Sequence, residues 1–243
     1  MVKGIRMTCS LSLSDCPYWI VLGDIHDQTA RLADIPELDG AQGILVSGDL
    51  TLTGGVGQAG VVMEKLLAAS PTVLAQFGNM DRPEVSDWLT ETNRNLHDTV
   101  RELARGVAVM GIGASTFSPF GTPSEYPESW FAERLERMWI VARQYKHVVL
   151  ISHNPPVDTV CDTLSDGVTH VGSEAVRAFI EDAQPALCIC GHIHEARGMD
   201  RIGRTKVLNP GAFLAGGYAV MTLNPELDNL PDASLFSLDE GPI

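Results

Sequence analysis

Seven side chains able to bind metal ions lie in five short segments of the chain. Each is an aspartate, an asparagine or a histidine, so the set offers oxygen and imidazole donors without a thiolate. The seven residues are Asp24, His26, Asp49, Asn79, His153, His192 and His194. Donors of this kind suit Mn²⁺, Fe, Ni²⁺, Co²⁺ or Zn²⁺ better than they suit a closed structural zinc site.

The number of ligands indicates more than one ion. Seven donors are too many for one tetrahedral ion, and a carboxylate can bridge two ions, so the set predicts a pair of divalent cations about 3.5–4 Å apart. Asp49 is the best candidate for the bridging carboxylate. Two divalent metal ions per chain are therefore the predicted cofactors, and the choice among the five metals stays open because their ligand preferences overlap.

A hydrophobic run precedes each of the five segments and has the length and continuity of a buried strand. The predicted strands cover residues 18–22, 44–46, 72–75, 148–151 and 187–190. In a sheet covered by helices, the carboxyl ends of the strands form the crevice where ligands bind. Five strand ends are therefore expected to bring distant parts of the chain to one site.

The motifs, in their order along the chain, resemble one protein family. Asp-x-His, Gly-Asp, Gly-Asn-x-Asp, His and Gly-His-x-His are similar to the calcineurin-like metallophosphoesterase superfamily from Asp24 to about Asn209. Residues 78–81, 152–156, 170–173 and 191–195 are further similar to a bacterial and archaeal branch of predicted phosphoesterases. The resemblance implies a four-layer α/β sandwich, in which two packed mixed β-sheets are flanked by helices.

The resemblance also implies how the ligands divide between the two ions. One ion would be bound by Asp24, His26, Asp49 and His194. The other would be bound by Asp49, Asn79, His153 and His192. The neutral asparagine limits the negative charge around the ions, which leaves room for an anionic phosphate. A pair of divalent ions can activate water and neutralise the charge that develops during phosphoester hydrolysis.

One position departs from the family pattern and affects proton transfer. Many relatives have a histidine directly after the metal-binding asparagine, whereas this chain has Met80, whose thioether cannot donate a proton to the leaving oxygen. His170 or a water held at the metals could replace it. Arg82 could bind a phosphate bidentately, or it could pair with Asp81 or Glu84.

The sequence therefore predicts a metal-dependent phosphoric ester hydrolase. A phosphodiester is slightly favoured over a phosphomonoester, because a diester with an acidic leaving alcohol needs the least help with protonation. The alternative is a non-hydrolytic, metal-dependent binding or scaffold protein in which Met80 marks lost catalysis. Taken alone, Asp-x-His suits a helix cap and Gly-Asn-x-Asp suits a turn, whereas the two histidines of Gly-His-x-His have few packing reasons. The ordered set of five motifs favours the catalytic interpretation.

Composition limits the partners and the organisation of the protein. A chain of 243 residues can bury one substantial core, so we expect a single domain over 1–243, with a trailing segment from about Asn224. The resemblance implies that this is a metallophosphoesterase domain. Lys and Arg number 17 against 31 Asp and Glu, a net charge of −14 that disfavours nucleic acid and anionic membranes and favours a small phosphorylated substrate. We expect a cytoplasmic protein with reduced cysteines, because neither a signal peptide nor a membrane-spanning run is evident.

The remaining patterns alternate between helix and strand, which argues for an α/β protein. Predicted helices cover residues 57–69, 91–103, 128–145 and 172–181, and further strands cover 107–112, 205–208 and 218–223. Residues 115–126 and 155–170 are expected to form loops that shape specificity. Phe117, Phe120 and Tyr126 could stack on a substrate or pack beneath the first loop, and Cys188 and Cys190 are expected in the core.

Overall fold

A computed structural model describes residues 16–239. Within this range the strands are β1 Tyr18–Leu22, β2 Gly43–Val46, β3 Val73–Ala75, β4 Thr99–Ala104, β5 Val107–Ile112, β6 His147–Ser152, β7 Leu187–Ile189, β8 Gly198–Ile202, β9 Thr205–Asn209, β10 Gly217–Asn224 and β11 Leu230–Ser237. The α-helices are α1 Val56–Ala69, α2 Glu84–Glu91, α3 Glu128–Ala142 and α4 Glu174–Ala183.

The strands form two mixed sheets. The five-stranded sheet has the order β11-β10-β1-β2-β3, and the six-stranded sheet has the order β4-β5-β6-β7-β9-β8. Strands β1, β2 and β3 are parallel in the first sheet. Strands β5, β6, β7 and β9 are parallel in the second. Because parallel strands end at the same edge, the loops that follow them meet at one side of the molecule.

Three buried hydrophobic clusters explain the layer order. The first packs one face of β1 and β2 against α1 and α2, and the second packs one face of β5, β6 and β7 against α3 and α4. The third lies between the sheets and includes Trp19 and Val21 of β1 with Val149 and Ile151 of β6. Since successive side chains of a strand point to opposite faces, β1 is hydrophobic throughout and buried on both sides. The predicted four-layer α/β fold is confirmed.

The predicted helix over residues 91–103 is wrong. Helix α2 ends at Glu91, and Thr99–Ala104 forms the edge strand β4, which pairs with β5. Val100 and Leu103 are three residues apart, a spacing that also places two side chains on one face of a helix. In the strand they point to opposite faces, because Val100 packs against the cluster below α3 and Leu103 against the cluster between the sheets.

The region from about Asn224, where a trailing segment was predicted, contains a strand. Residues Leu230–Ser237 form β11, which pairs antiparallel with β10 along its whole length. Ala233 and Leu235 of this strand enter the cluster between the sheets. Their alternation with polar residues is the signal that the sequence analysis passed over. The prediction that residues 1–243 form one domain stays a prediction.

Cys188 and Cys190 lie in the buried core beneath α3 and α4, as expected, and no disulfide forms between cysteines of residues 16–239. Cys9 lies outside the described residues. None of the helices within 16–239 is long and hydrophobic enough to cross a lipid bilayer.

Candidate metal centre

The predicted ligands lie at the carboxyl ends of five parallel strands. Asp24 and His26 follow β1, Asp49 follows β2 and Asn79 follows β3, all in the first sheet. His153 follows β6, and His192 and His194 follow β7 in the second sheet. The candidate site therefore lies across the seam between the sheets, and each sheet supplies part of it.

One group of donors surrounds the His194 side chain. His194 Nε2 lies 3.1 Å from His26 Nε2 and 3.3 Å from Asp24 Oδ1, and His26 Nε2 lies 4.0 Å from the same Asp24 oxygen. Two donor atoms that each lie about 2.1 Å from a shared ion are about 3 Å apart when they are neighbours in its coordination shell. They are about 4.2 Å apart when they lie on opposite sides of the ion. The three separations fall in this range, so one ion can contact all three side chains.

A second group surrounds His153. Its Nε2 lies 2.9 Å from Asn79 Oδ1 and 3.4 Å from Asp49 Oδ2. The same Asp49 oxygen lies 3.8 Å from His26 Nε2, in the first group. The His192 ring lies beside the His153 ring, with centroids 5.2 Å apart. Asp49 Oδ2 is therefore the atom that faces both groups, while Asp49 Oδ1 accepts a hydrogen bond from Met80 N at 2.8 Å.

The donor set fits divalent metals by its chemistry as well as its spacing. His26 Nδ1 lies 3.2 Å from the Thr51 carbonyl oxygen, which can only accept a hydrogen bond, so the ring hydrogen is on Nδ1. Nε2 therefore carries a lone pair, and this atom faces the cluster. Six of the seven residues are buried or half-buried, and His194 is exposed. The cluster thus opens to solvent on the His194 side, where a substrate can approach.

Neighbouring charges shift the pKa values of several side chains in the cluster. Burial disfavours the charged form of Asp24, but its hydrogen bond with His194 and the charge of His153 lower its pKa to about 2. Burial likewise opposes protonation of His153, but Asp49 and Asp24 raise the His153 pKa to about 9. Burial and the neighbouring His153 lower the pKa of His192 to about 4. The Asp24 carboxylate is therefore held ionised beside the His194 imidazole, which suits a site for cations.

The backbone at the cluster adopts conformations that are uncommon for residues with side chains. Asp24, His26, Asp49 and His192 have φ angles of 53°, 46°, 52° and 69°. Such left-handed conformations are maintained only where the surroundings hold them, and they concentrate at functional sites. Here Asp24 N and Ile25 N donate to the carbonyls of Gly48 and Asp49, which joins the first two ligand loops.

Asp81 joins two ligand loops, a contact that residue spacing did not reveal. It is fully buried, and Oδ1 accepts hydrogen bonds from Thr51 N and Thr51 Oγ1, both at 2.8 Å. Oδ2 accepts from Leu50 N at 3.0 Å and from Gly78 N at 2.9 Å. One carboxylate thus connects the loop that carries Asp49 to the loop that carries Asn79. Its place in the Gly-Asn-x-Asp motif was the available signal.

Gln76 is a second residue that sequence reasoning missed. Its buried amide donates to the carbonyls of Ser47 at 3.0 Å, Ile112 at 2.9 Å and Ile151 at 3.3 Å. Ser47 follows a strand of the first sheet, whereas the other two acceptors belong to β5 and β6 of the second. Gln76 therefore ties the sheets together directly behind the candidate metal centre.

The two predicted catalytic residues lie outside the ligand cluster. His170 is 33% exposed in its side chain, and its Nδ1 lies 2.7 Å from Oδ1 of the buried Asp162. This hydrogen bond raises the pKa of His170. The Arg82 side chain is exposed, and within residues 16–239 it makes neither of the two salt bridges considered for it. Catalytic roles for both residues remain predictions.

The loop over residues 115–126 reaches the ligand cluster at two points. Thr122 Oγ1 accepts a hydrogen bond from Asn79 Nδ2, and Thr116 Oγ1 accepts one from Asn154 Nδ2, next to His153. Phe117 and Phe120, between these points, are 70% and 85% exposed. Tyr126 instead stacks on Trp130 with ring centroids 4.2 Å apart, so it packs beneath the loop.

A cavity of about 880 Å³ lies far from this chemistry. It is lined at the amino-terminal ends of β6 and β7 by Lys146 and His147, and further on by Arg204 and Lys206. None of the seven predicted ligands lines it. This cavity is therefore separate from the place where the metal-binding side chains converge.

Comparison with known proteins identifies the family. The family model described as "Metallophosphoesterase, calcineurin superfamily" matches residues 93–228, more than half of the chain. The chain belongs to this superfamily. The metallophosphoesterase is therefore a metal-dependent hydrolase of phosphoric esters. The matched residues contain His153, His192 and His194, and the fold brings the other four predicted ligands to these histidines.

The chain is also similar to further proteins in sequence or in fold. The metallophosphoesterase is 38% identical over 177 residues to the uncharacterized protein MJ1162 of Methanocaldococcus jannaschii, a match that covers 71% of this chain and 78% of the relative. Its fold is similar to the crystal structure of TT1561 of Thermus thermophilus, with a TM-score of 0.68, 19% identity and coverage of 92% and 99%. It is also similar to a dimetal phosphatase from Danio rerio, with a TM-score of 0.63, 12% identity and coverage of 94% and 96%.

Proposed function

We propose that the metallophosphoesterase uses a pair of divalent metal ions to hydrolyse a small phosphorylated substrate, with a slight preference for phosphodiesters. The observation that carries the proposal is the position of Asp49 Oδ2, 3.8 Å from His26 Nε2 and 3.4 Å from His153 Nε2. A carboxylate oxygen between two imidazole groups is suited to be shared by two ions. The dimetal phosphatase with a similar fold is consistent with this arrangement.

The proposed ligand sets follow the two groups of side chains. The first ion would be held by Asp24, His26, Asp49 and His194, and the second by Asp49, Asn79, His153 and His192. Only two of the seven ligands are carboxylates, so two divalent ions would keep an excess of positive charge. A locally positive site can attract an anionic ester despite the net charge of −14.

When bound, the pair of ions would supply an activated water and charge neutralisation at the phosphoryl group. The chain's own residues orient the site: Met80 N fixes one oxygen of Asp49, and Thr51 O fixes the ring of His26. Met80 cannot protonate a leaving group. His170, whose pKa is raised by Asp162, is our candidate acid, and a diester with an acidic leaving alcohol would depend on it least.

The test is hydrolysis by metal-free protein reconstituted separately with Mn²⁺, Fe²⁺, Ni²⁺, Co²⁺ and Zn²⁺. Bis-p-nitrophenyl phosphate and p-nitrophenyl phosphate are compared under the same conditions, together with the number of ions bound per chain. We expect two ions and metal-dependent turnover, faster with the diester. An Asp49→Asn variant should lose at least about 100-fold in activity, because the shared carboxylate is removed from the centre.

Controls separate the possible outcomes. Thermal unfolding must show that Asp49→Asn remains folded, and His170→Ala is assayed on a phenyl diester, whose leaving group is more basic. Undiminished turnover of that diester would exclude His170 as the acid. Two bound ions without turnover of any ester would support the non-hydrolytic binding protein and contradict the proposed hydrolysis.

A further inference from the structure

The side chain of Asn79 can adopt two orientations, of which only one binds a metal ion. Its Oδ1 lies 2.9 Å from His153 Nε2, whereas its Nδ2 lies 2.9 Å from Thr122 Oγ1. An amide rotated by 180° would place its NH₂ group among the ligands, and an NH₂ group cannot bind a cation. An aspartate would present an oxygen in either orientation. An asparagine ligand therefore needs a neighbour that selects the correct one.

Thr122 can be that neighbour only if its hydroxyl proton is directed elsewhere. Thr122 Oγ1 lies 2.7 Å from Glu125 Oε1, and a carboxylate can only accept, so the hydroxyl donates to Glu125. The Thr122 oxygen is then left to accept from Asn79. The amide must turn its NH₂ group to Thr122 and its carbonyl oxygen to the ligand cluster.

Glu125 is held as a carboxylate by three further donors. These are Thr122 N at 2.9 Å, Ser118 N at 3.2 Å and Ser118 Oγ at 2.6 Å. Burial opposes ionisation, but the hydrogen bonds from Ser118 and Thr122 lower the pKa of Glu125. The carboxylate therefore has a fixed place and stays ionised at neutral pH, so the direction of the Thr122 hydroxyl is fixed with it.

The loop is attached to the ligand segment by independent contacts. Ser124 N donates to the Asn79 carbonyl at 3.0 Å, and Ser124 Oγ donates to the Asp81 carbonyl at 2.6 Å. Ser124 is fully buried. Thr122 is thus held in a constant position relative to Asn79. The hydrogen bonds from Thr122 to Glu125 and from Asn79 to Thr122 require this fixed position.

We propose that Glu125 and Thr122 are positioning residues for the metal ligand Asn79. Glu125 fixes the Thr122 hydroxyl, and Thr122 fixes the Asn79 amide with its oxygen toward the second ion. The inference rests on the proposed dinuclear centre. The competing interpretation is that Glu125 only stabilises the turn from Ser118 to Thr122, in which case metal affinity would not depend on the polarity of residue 122.

The test measures Mn²⁺ binding to metal-free protein by isothermal titration calorimetry, with bound metal counted by elemental analysis. Thr122→Val should weaken the second ion about 10- to 100-fold and leave the first within about threefold, since outer-shell partners of metal ligands have effects of this size. Thr122→Ser should restore wild-type affinity. Glu125→Gln should resemble Thr122→Val, because an amide can donate to Thr122 and release its hydroxyl toward Asn79.

Two further variants make the test specific. Thr116→Val loosens the other attachment of the loop without touching Asn79, and it should retain both affinities within about threefold. Asn79→Asp removes the orientation problem, so adding Thr122→Val to it should cause no further loss, which a double-mutant cycle detects. Each variant is first shown to unfold at a temperature near that of wild type in EDTA.

The outcomes are distinct. Equal affinity of Thr122→Val and wild type for both ions would overturn the inference. It would also be overturned if Thr122→Val caused the same loss in wild-type protein and in the Asn79→Asp variant. If wild-type protein itself bound fewer than two ions, the dinuclear proposal would fail first, and the positioning role would fail with it.

Discussion

At the scale of single residues, the candidate site depends on polar side chains that do not bind metal themselves. Asp81 accepts four hydrogen bonds from three residues and joins two ligand loops. His26 and Asn79 each need one partner, the Thr51 carbonyl and the Thr122 hydroxyl, to turn the correct atom toward the cluster. Supporting contacts of this kind commonly tune metal affinity by an order of magnitude or more.

Asp81→Ala should lower both stability and metal affinity. The backbone N–H groups of Leu50, Thr51 and Gly78 would lose their acceptor, at about 1–3 kcal/mol for each one left unsatisfied. We expect a loss of at least about 3 kcal/mol in urea unfolding of metal-free protein, and weaker Mn²⁺ binding. Asp27→Ala is the matched control, because exposed Asp27 accepts a single bond from Leu52 N. Equal stability of the two variants would contradict this role.

At the scale of elements, the ligand loops approach one another so closely that a side chain at the glycine before a ligand would not fit. A Cβ atom on Gly78, after β3, would overlap Oδ1 of Asp49, the residue that follows β2. A Cβ atom on Gly191, after β7, would lie 2.6 Å from Asp24 Oδ2. Glycine before a ligand is therefore a steric requirement at these strand ends, because the carboxylate of another strand occupies the space of its side chain.

Gly78→Ala tests this packing. The new methyl group would overlap both the carboxylate and the backbone nitrogen of Asp49, so the loop must move. We expect a loss of about 1–3 kcal/mol in stability from overpacking and a weaker affinity for Mn²⁺. Gly60→Ala, inside α1, is the control, since its Cβ meets no atom within 4 Å and should stabilise the helix by about 0.5–1 kcal/mol. Full metal affinity in Gly78→Ala would contradict the steric argument.

At the scale of the whole molecule, the site depends on how the sheets pack together. His97 illustrates the packing on one side of this seam. Its Nδ1 accepts a hydrogen bond from Gly113 N at 3.1 Å, and its ring stacks on Trp130 of α3 and meets the edge of Phe77 before the Asn79 loop. Burial and the charges of Arg134 and Arg137 lower its pKa to about 3. A neutral His97 is thus part of the packed structure.

Acid should weaken the fold through His97. Its pKa is about 3 when folded and about 6.5 when unfolded, so between these values only the unfolded state binds the proton. The contribution of neutral His97 to the free energy of unfolding is complete above pH 6.5. It is lost as the pH falls toward 3, at up to about 1.4 kcal/mol per pH unit. Urea unfolding in EDTA at pH 7, 6, 5 and 4 measures the loss.

His97→Gln is the matched variant, because its amide oxygen can still accept from Gly113 N while it does not titrate. The difference in unfolding free energy between wild type and this variant should shrink as the pH falls. Parallel pH profiles for the two proteins would exclude His97 as the origin of the acid sensitivity, since all other groups are common to both.

The sequence by itself determined the local features of this protein. Continuous hydrophobic runs predicted the parallel strands, and polar residues directly after them predicted the ligand positions, because both depend on neighbours in the chain. Local pattern was insufficient at β4, where Val100 and Leu103 imitate a helix face, and at β11, whose alternation is meaningful only beside β10. Edge strands are stabilised by distant partners, so short windows of sequence describe them poorly.

Only the tertiary structure decided which side chains meet and which atoms face one another. It placed Asp49 between His26 and His153, paired His170 with Asp162, and brought Thr122 against Asn79 across 43 positions of the chain. These relations depend on how two sheets pack and on the direction of single hydrogen bonds. Neither is encoded in residue spacing, because contacts between distant segments exist only after the hydrophobic layers have closed.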